Sequence, residues 1–191
     1  MLRYAGFWPR LWASLLDTVV LLPITAIYAW GSERYRLFDL YSLAPDIALF
    51  LFYNVYLVKR FGGTPGKLVA GIRILKVDGE SVGIREALLR CSVDLIFALL
   101  TSIGMLVAIF RMSDAEFHSL QFVERAVRLQ ELAPYWSNVT YWFLEIWVWG
   151  ELVVLLTNKK RRAIHDFIAG TVVVYKPSFV RLPQTVTVTL E

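Results

Sequence analysis

The side chains best suited to chemistry in this sequence are carboxylates that lie inside long apolar stretches. These carboxylates belong to Asp17, Asp46, Asp94, Glu145 and Glu151. A charged carboxylate at the centre of a bilayer costs about 2.5–3.5 kcal/mol on insertion scales, so it normally faces the interior of a helix bundle or a water-filled cavity. There it can bind a cation or carry a proton. The set therefore indicates an ion or proton path as the chemistry that this chain could perform.

Neighbouring residues account for part of this set. Asp94 follows Arg90 by four residues, and such a pair shares one face of a helix and is expected to bond there. Asp46 lies close to one end of its apolar stretch, where water reaches it. Asp17 and Glu145 have no lysine or arginine within one helical turn. These two carboxylates are therefore the most informative candidates for function.

His165 and Asp166 form a second candidate group and follow the basic run 159–162. The adjacent imidazole and carboxylate suit proton transfer, although a structural hydrogen-bonded pair is the commoner role of such neighbours. The basic run is typical of a topology anchor that contacts anionic lipids. The sequence offers no arrangement of nucleophile, base and orienting group, and its 2 histidines lie far apart. We therefore expect neither an enzyme nor a metal or cofactor site.

A glycine-rich segment, residues 61–67, invites comparison with a phosphate-binding loop. That loop requires a glycine five positions before Gly66 and a serine or threonine after Lys67. Phe61 and Leu68 occupy these positions, and an apolar stretch precedes the segment where the loop requires a strand. We interpret the segment as a tight turn that returns the chain to the membrane surface.

The chain that carries these groups is too apolar for an ordinary soluble domain. Its 191 residues are 57% hydrophobic and 19% charged, against about 45–50% and 25% in typical globular domains. This composition excludes disordered, collagen-like and soluble nucleic-acid-binding proteins. A hydrocarbon core of roughly 30 Å requires about 17–25 helical residues. Four stretches of suitable length are predicted as membrane spans: 11–30, 42–58, 91–110 and 138–157.

Positive charge predicts the orientation of these spans. Residues 1–11, 59–90 and 158–191 hold most of the 20 lysines and arginines. Because cytoplasmic segments carry the excess of positive charge, both termini and the middle segment are predicted on the cytoplasmic side of the membrane. The first span contains Asp17 and is followed by no clear cleavage site, so we interpret it as a retained helix.

The segments outside the spans predict small ordered elements. Residues 72–77 and 80–82 flank Asp78-Gly79, a strong signal for a β-hairpin, and the β-branched run 171–175 is predicted to join the same sheet. On the other side, residues 112–132 predict an external amphipathic helix that Ser113 caps. The fold class is thus an all-α membrane protein: a four-span helical bundle with a small cytoplasmic β-hairpin or sheet.

The domain that includes these elements is predicted over residues 1–176, and a C-terminal tail follows at 177–191. The tail alternates polar and apolar residues as a strand does. The sequence offers it no evident partner, so we expect it to pair on docking or to remain separate.

Several short motifs, taken in order, resemble the RDD family of bacterial membrane proteins. The motif Ala5-Gly-Phe-Trp-Pro-Arg10, followed by Asp17, resembles the family's opening, and residues 64–67, 71, 78–79, 87–90 and 162–171 resemble its later blocks. The family is named for one arginine and two aspartates. By position these are Arg10, Asp17 and Asp166, with Asp94 as the alternative for the last. The resemblance implies transport, with exchange of cations for protons as the activity.

The chain departs from the family pattern in two respects. It has an outer segment at 111–137, and it has four spans where a core description of the family has two or three. Four helices barely enclose a path, so we expect a homo-oligomer or a partner membrane protein, and no nucleic acid. The two functions to weigh are a transporter and a non-catalytic membrane adaptor or assembly subunit.

Depth in the membrane predicts how the family residues pair. Arg10 is expected at the inner interface and Asp17 about 10 Å deeper, at about 1.5 Å per helical residue. Arg10 therefore reaches Asp166, in the basic segment, more easily than it reaches Asp17. We predict an Arg10–Asp166 pair that ties the first helix to the C-terminal segment. Asp17 is then expected to meet polar groups of another helix and to be dispensable for folding.

Overall fold

The computed structural model describes residues 3–176 of the chain, so the predicted tail at 177–191 lies outside the described residues. Four helical stretches are long and apolar enough to cross a membrane: Phe7–Arg34, Phe38–Val69, Ile84–Arg111 and Tyr135–Thr157. The four predicted spans are confirmed, and each helix extends beyond the limits that its hydropathy suggested. The structure is thus an all-α membrane fold with one small sheet.

The first two spans, helices α1 (Phe7–Arg34) and α2 (Phe38–Leu51), are joined by a very short connection. Gly31 makes this connection possible, because any side chain at this position would collide with the ring of Phe38. Tyr28 packs edge-on against the same ring, with 5.3 Å between the ring centroids. The close contact fixes the angle at which α2 leaves α1.

The second span changes its winding near the middle. A single turn of π-helix, Phe52–Tyr56, follows α2 and leads into α3, Leu57–Phe61. Gly62, with φ of 80°, ends the span, and the short helix α4, Pro65–Val69, then lies against α1. A π-helical turn inserts an extra residue and shifts the faces of the helix around it. The predicted tight turn at 61–67 is therefore a helix end followed by a new helix.

A two-stranded antiparallel sheet joins the middle of the chain to its C-terminal segment. Strand β1, Ile72–Lys76, pairs with β2, Thr171–Tyr175, in a register that sets Ile74 opposite Val173. This pairing was predicted and is confirmed. Both strands contribute to the buried core, together with Ala13 of α1 and Ala87 of the third span.

The predicted hairpin after Asp78-Gly79 is wrong in extent, because only a single bridge forms, between Leu75 and Ser81. The edge of β1 on that side is also occupied by Gly62, whose carbonyl accepts the N–H of Ile74 at 2.7 Å. In addition, the third span begins at Ile84, so the chain must turn away at once.

The second half of the chain contains helices α5 (Ile84–Arg111), α6 (Asp114–Ser119), α7 (Phe122–Leu132), α8 (Tyr135–Thr157) and α9 (Ile164–Ile168). The single amphipathic helix predicted at 112–132 is instead α6 and α7. Ser113 caps α6 as predicted, accepting the N–H of Glu116. The helix breaks between α6 and α7 because Gln121 starts the second of them. The backbone N–H of Gln121 donates to the side chain of Glu124.

The spans form a ring in which α1 and α5 each contact both α2 and α8. One end of the ring, here named the basic face, carries residues 3–10, 59–83 and 158–176, including the sheet and α9. The other end, here named the opposite face, carries α6 and α7. Candidate polar groups lie at both ends and within the ring.

Candidate functional site

A cluster of charged side chains lies at the basic face and is centred on Asp166, which is completely buried. Arg10 donates to its carboxylate at 2.7 Å, and Arg90 donates to the other carboxylate oxygen. The hydroxyl of Thr171 and the backbone N–H of Ala163 also donate, at 3.2 and 3.0 Å. The predicted Arg10–Asp166 pair is confirmed, and it ties α1 to the segment that carries α9.

The charge of Asp166 is fixed by its surroundings. Burial alone would raise its pKa, but the charges of Arg90 and Arg10 outweigh that effect and hold the pKa well below its usual range. The carboxylate therefore remains ionised at any physiological pH. A permanent anion between two guanidinium groups holds helices together and does not exchange protons.

The predicted pair of Arg90 with Asp94 is wrong. Arg90 turns to Asp166, where a buried carboxylate accepts it, and Asp94 instead accepts the indole N–H of Trp147, on α8, at 3.0 Å. The buried carboxylate attracts the guanidinium more strongly than a partner one turn away, because the Coulomb interaction grows as water is excluded. Asp94 is thus part of the contact between α5 and α8.

His165 and Glu151 form a second contact next to this cluster. Their Nδ1 and Oε2 atoms lie 2.6 Å apart, and the backbone N–H of His165 donates to Glu151 at 2.8 Å. A nitrogen of Arg90 lies 2.8 Å from Nε2 of His165. Because a guanidinium can only donate, Nε2 must accept and the imidazole proton must lie on Nδ1, facing Glu151. The contact is a close approach and not a formed hydrogen bond, because Oε2 of Glu151 has no hydrogen-bond partner among the described residues.

Asp17 is the centre of a second polar cluster, inside the membrane segment. It accepts hydrogen bonds from Tyr53 at 2.6 Å, from Thr64 at 2.5 Å and from the backbone N–H of Gly66 at 2.6 Å. The ammonium group of Lys67 lies 4.0 Å from the carboxylate. The prediction that Asp17 meets polar groups of another helix is confirmed. With three donors and a nearby cation, Asp17 fastens α4 to α1.

Close approach of two backbones makes this fastening possible. A side chain on Gly66 would overlap the carbonyl of Ala13 and would lie 2.7 Å from the carboxylate of Asp17. Glycine is therefore required here for space and not for an unusual backbone angle. The π-helical turn supplies the third contact, because Tyr53 lies within it.

A cavity of about 640 Å³ lies inside the ring, in the half nearest the opposite face. Its wall is mainly apolar, and its charged lining residues are Glu33, Asp39, Asp46 and Arg125, with Thr101 and Ser102 among the uncharged polar ones. The hydroxyl of Tyr28 donates to Asp39 at 2.9 Å. Asp46, interpreted from the sequence as a solvated residue near the end of its span, is partly exposed and lines this cavity.

Glu145 lies apart from all these groups. It is exposed on α8, beside Asn138 and Tyr141, which also line the cavity. Within residues 3–176, the carboxylate of Glu145 forms no hydrogen bond and no ion pair. The structure therefore brings together Arg10, Asp166, His165 and Glu151, and it leaves Glu145 outside the bundle.

Comparison with known proteins establishes the family. The model of the RDD family matches residues 4–170, which is nearly the whole of the described chain. The chain belongs to the RDD family. It is therefore a multi-pass membrane protein.

Two relatives of this RDD protein come from Bacillus subtilis (strain 168). The uncharacterized protein YckC is 26% identical over 178 residues, which cover 90% of this chain and 84% of that protein. The uncharacterized membrane protein YteJ is 32% identical over 89 residues, which cover 41% of this chain and 52% of that protein. No solved structure matches this RDD protein.

In this RDD protein, the arginine and two aspartates that correspond to the family name fall into two clusters. Arg10 and Asp166 meet at the basic face, whereas Asp17 lies with Tyr53 and Thr64 inside the bundle. The alternative residue, Asp94, bonds Trp147. The first helix carries both Arg10 and Asp17, so both clusters act on its position.

Sequence reasoning missed several partners of these residues: Tyr53, Thr64, Gly66, Arg90 and Thr171. All of them except Tyr53 lie in the blocks that resemble the family, and for one of these a structural signal was also present, because threonine followed by proline is typical of a helix start. Thr64 and Pro65 fit that pattern. Tyr53 gave no such signal, since nothing in its neighbourhood announces a π-helical turn.

Proposed function

We propose that this protein carries a cation across the membrane in exchange for protons, using carboxylates inside the bundle. The observation that carries the proposal is the cavity within the ring of helices, lined by Asp39 and Asp46. Carboxylate and hydroxyl oxygens are the ligands that hard cations prefer, and intramembrane carboxylates of this kind usually belong to ion or proton pathways.

The inner half of the path is formed by Asp94, Glu151 and His165. Asp94 lies on α5 and Glu151 on α8, and His165 lies on α9, which contacts both of these helices. The proton between His165 and Glu151 lies at the edge of the basic face, where water can accept it. Thr101 lies two turns from Asp94 on α5 and lines the cavity, so one helix connects the two halves.

The Arg10 and Asp17 clusters have a supporting role in this proposal. Their carboxylates are occupied by fixed donors, so they position α1 and α4 while the other acids carry charge. By the positive-inside rule, the basic face lies in the cytoplasm of a bacterium and the cavity opens to the outside of the inner membrane. Anionic lipids are the expected partners of the basic segments. The proposed transport requires no covalent chemistry and no enzyme activity.

Proteoliposomes that contain a pH-sensitive dye test the proposal. Addition of sodium or potassium outside should drive proton movement, and Asp46→Asn and Glu151→Gln should reduce it strongly. The control is Glu131→Gln, the same chemical change in a side chain that is 59% exposed on α7, which should leave flux unchanged. Absence of cation-dependent proton movement in the wild type, or equal flux in all variants, would refute the proposal.

A membrane adaptor is the second candidate, and one observation favours it. The contiguous buried core lies at the basic face, around the sheet. Such a core makes this face rigid, and a rigid face suits a binding partner. Purification in mild detergent with mass determination distinguishes the two functions. Flux that appears only with a co-purified protein would favour the adaptor.

A further inference from the structure

The exposed carboxylate of Glu145 lies in a recess that backs onto the cavity within the ring. This recess has a volume of about 360 Å³, lies between α7 and α8, and is lined by Gln130, Asn138, Tyr141, Trp142 and Glu145. Three of these residues, Gln130, Asn138 and Tyr141, also line the cavity. Their side chains therefore separate the recess from the cavity.

The wall between the recess and the cavity is loosely held. Gln130 is exposed, Asn138 is half-buried, and Tyr141 is 49% exposed. Within residues 3–176, no hydrogen bond ties the side chains of these three residues to other groups. Side chains at such positions change rotamer within picoseconds to nanoseconds. Their rotation therefore breaks no hydrogen bond and can join the two spaces.

Negative charge prevails around the cavity and the recess. Among the described residues, four acids and one arginine line them: Glu33, Asp39, Asp46, Glu145 and Arg125. Arg125 already donates to the backbone carbonyls of Glu33 and Leu120, and its guanidinium lies 4.1 Å from the centre of the Phe117 ring. Within residues 3–176, neither Asp46 nor Glu145 has a lysine or arginine within ion-pair distance. The two spaces therefore suit a cationic ligand.

The size and lining of the cavity exceed what an inorganic cation needs. Its volume of about 640 Å³ is that of a pocket for an organic molecule. Tyr28, Phe117 and Tyr141 contribute aromatic rings to a wall that is mainly apolar. Aromatic faces attract organic ammonium groups, and apolar surface favours a ligand with an apolar body.

We propose that the cavity binds amphiphilic amines, which carry a protonated amino group on an apolar body, and that they enter from the membrane beside Glu145. Such molecules collect in a bilayer because their apolar part leaves water there. Glu145 is the eleventh residue of α8, a helix of 23 residues, so its carboxylate meets them within the membrane. A carboxylate at that depth is costly without a partner, and the ammonium group supplies one.

The route inward follows from the residues that the two spaces share. From Glu145 the ammonium group passes Gln130 and Asn138, whose amide oxygens can accept its hydrogen bonds, and it then reaches Asp46. The apolar body lies against the aromatic wall. This inference rests on the proposed function in one respect, the assignment of a cation to Asp46, and it requires no proton exchange.

Energy transfer from tryptophan to a dansyl group tests the binding. The protein is placed in phosphatidylcholine nanodiscs, the probe is dansyl-labelled decylamine, and empty nanodiscs correct for probe in the lipid. The wild type should bind this probe saturably and should bind dansyl-labelled decanoate, its anionic counterpart, about tenfold more weakly or less. Arg125 gives the anion its best opportunity, because its buried Nε has no hydrogen-bond partner within residues 3–176. Equal binding of the two probes, or no saturable binding of the amine, would overturn the proposal.

Variants locate the ligand and its entrance. Asp46→Asn should raise the dissociation constant of the amine about tenfold or more, and Glu145→Gln should slow its association, because a charge at an entrance acts mainly on the association rate. Glu131→Gln, in a side chain 59% exposed on α7, is the control and should change neither. Binding by Asp46→Asn as tight as that of the wild type would refute the site, and unchanged association in Glu145→Gln would refute the entrance. If Asp46→Asn fails to fold, the comparison of the two probes in the wild type still decides.

The binding assay contains no proton gradient, so it separates this inference from the proposed exchange. Amine binding without cation-driven proton movement would refute the exchange alone. Sodium-driven proton movement by a protein that does not bind the amine would overturn the amine site alone.

Discussion

Replacement of Asp166 by asparagine tests whether the charge cluster at the basic face holds the fold together. Asparagine has almost the same shape, so it removes the charge without leaving a cavity. Its NH₂ group, however, would face N–H groups whose hydrogen bonds the carboxylate now accepts, including that of Ala163. The two guanidinium groups of Arg10 and Arg90 would lose their shared anion and would repel each other.

The expected loss is about 3–5 kcal/mol, which is the usual cost of removing one partner of a buried ion pair. The upper half of that range is appropriate because the side chains of Arg10 and Arg90 are only 12% and 10% exposed. Water can therefore do little to replace the lost carboxylate. Against a net stability of about 5–15 kcal/mol for a typical domain, such a loss is large.

Titration with a denaturing detergent, followed by tryptophan fluorescence, measures this loss in purified protein. The 7 tryptophans of the chain provide the signal. Glu80→Gln is the matched control, because it makes the same chemical change in a side chain that is 69% exposed in its pair with Lys76. It should leave the transition where it is. An Asp166→Asn variant within about 1 kcal/mol of the wild type, the range of exposed pairs, would refute the structural role.

Three further predictions concern the two clusters. Gly66→Ala should destabilise the protein by about 1–3 kcal/mol, because the added carbon makes α4 overlap α1. Gly6→Ala should leave stability unchanged, because no atom lies within 4 Å of the added carbon there. Thermal unfolding in detergent measures both. Tyr53→Phe should cost about 1.5–3 kcal/mol, the value of a hydrogen bond to a charged group, in the same assay, and no loss would show that Asp17 does not need this donor. Folding lowers the pKa of Asp166, so the stabilisation from its carboxylate is fully present above the unfolded pKa of about 3.9 and is lost as the pH falls further. At pH values below about 4, the unfolding temperature of the wild type should therefore decrease, and that of Asp166→Asn should decrease much less.

The sequence predicted those features that depend on composition and depth. Long apolar stretches indicated the four spans, and the relative depths of Arg10, Asp17 and Asp166 indicated which of them pair. The β-branched run at 171–175 indicated a strand, and it pairs with β1. In each case a property of the segment itself decides the outcome.

Features that depend on competition between distant groups could not be predicted. Arg90 has a suitable partner one turn away in Asp94, yet it bonds Asp166, 76 positions along the chain. Asp17 was expected to be dispensable for folding, but three donors surround it, so its replacement should also destabilise the fold. One of these donors, Tyr53, lies in a π-helical turn, which no local pattern in the sequence indicates.

The ion pair that closes the basic face also sets an order of events during synthesis. Arg10 and Asp166 are 156 positions apart, so at roughly 5–20 residues per second the ribosome needs on the order of 8–30 s to make the counterion after the cation. During that interval the ribosome makes all four spans, and Arg10, later joined by Arg90, remains without its final partner. A chain that stalls before α9 can insert its spans but cannot form the ion pair with Asp166. Among the described helices α9 is made last, so the buried ion pair can form only after all four spans have been synthesised.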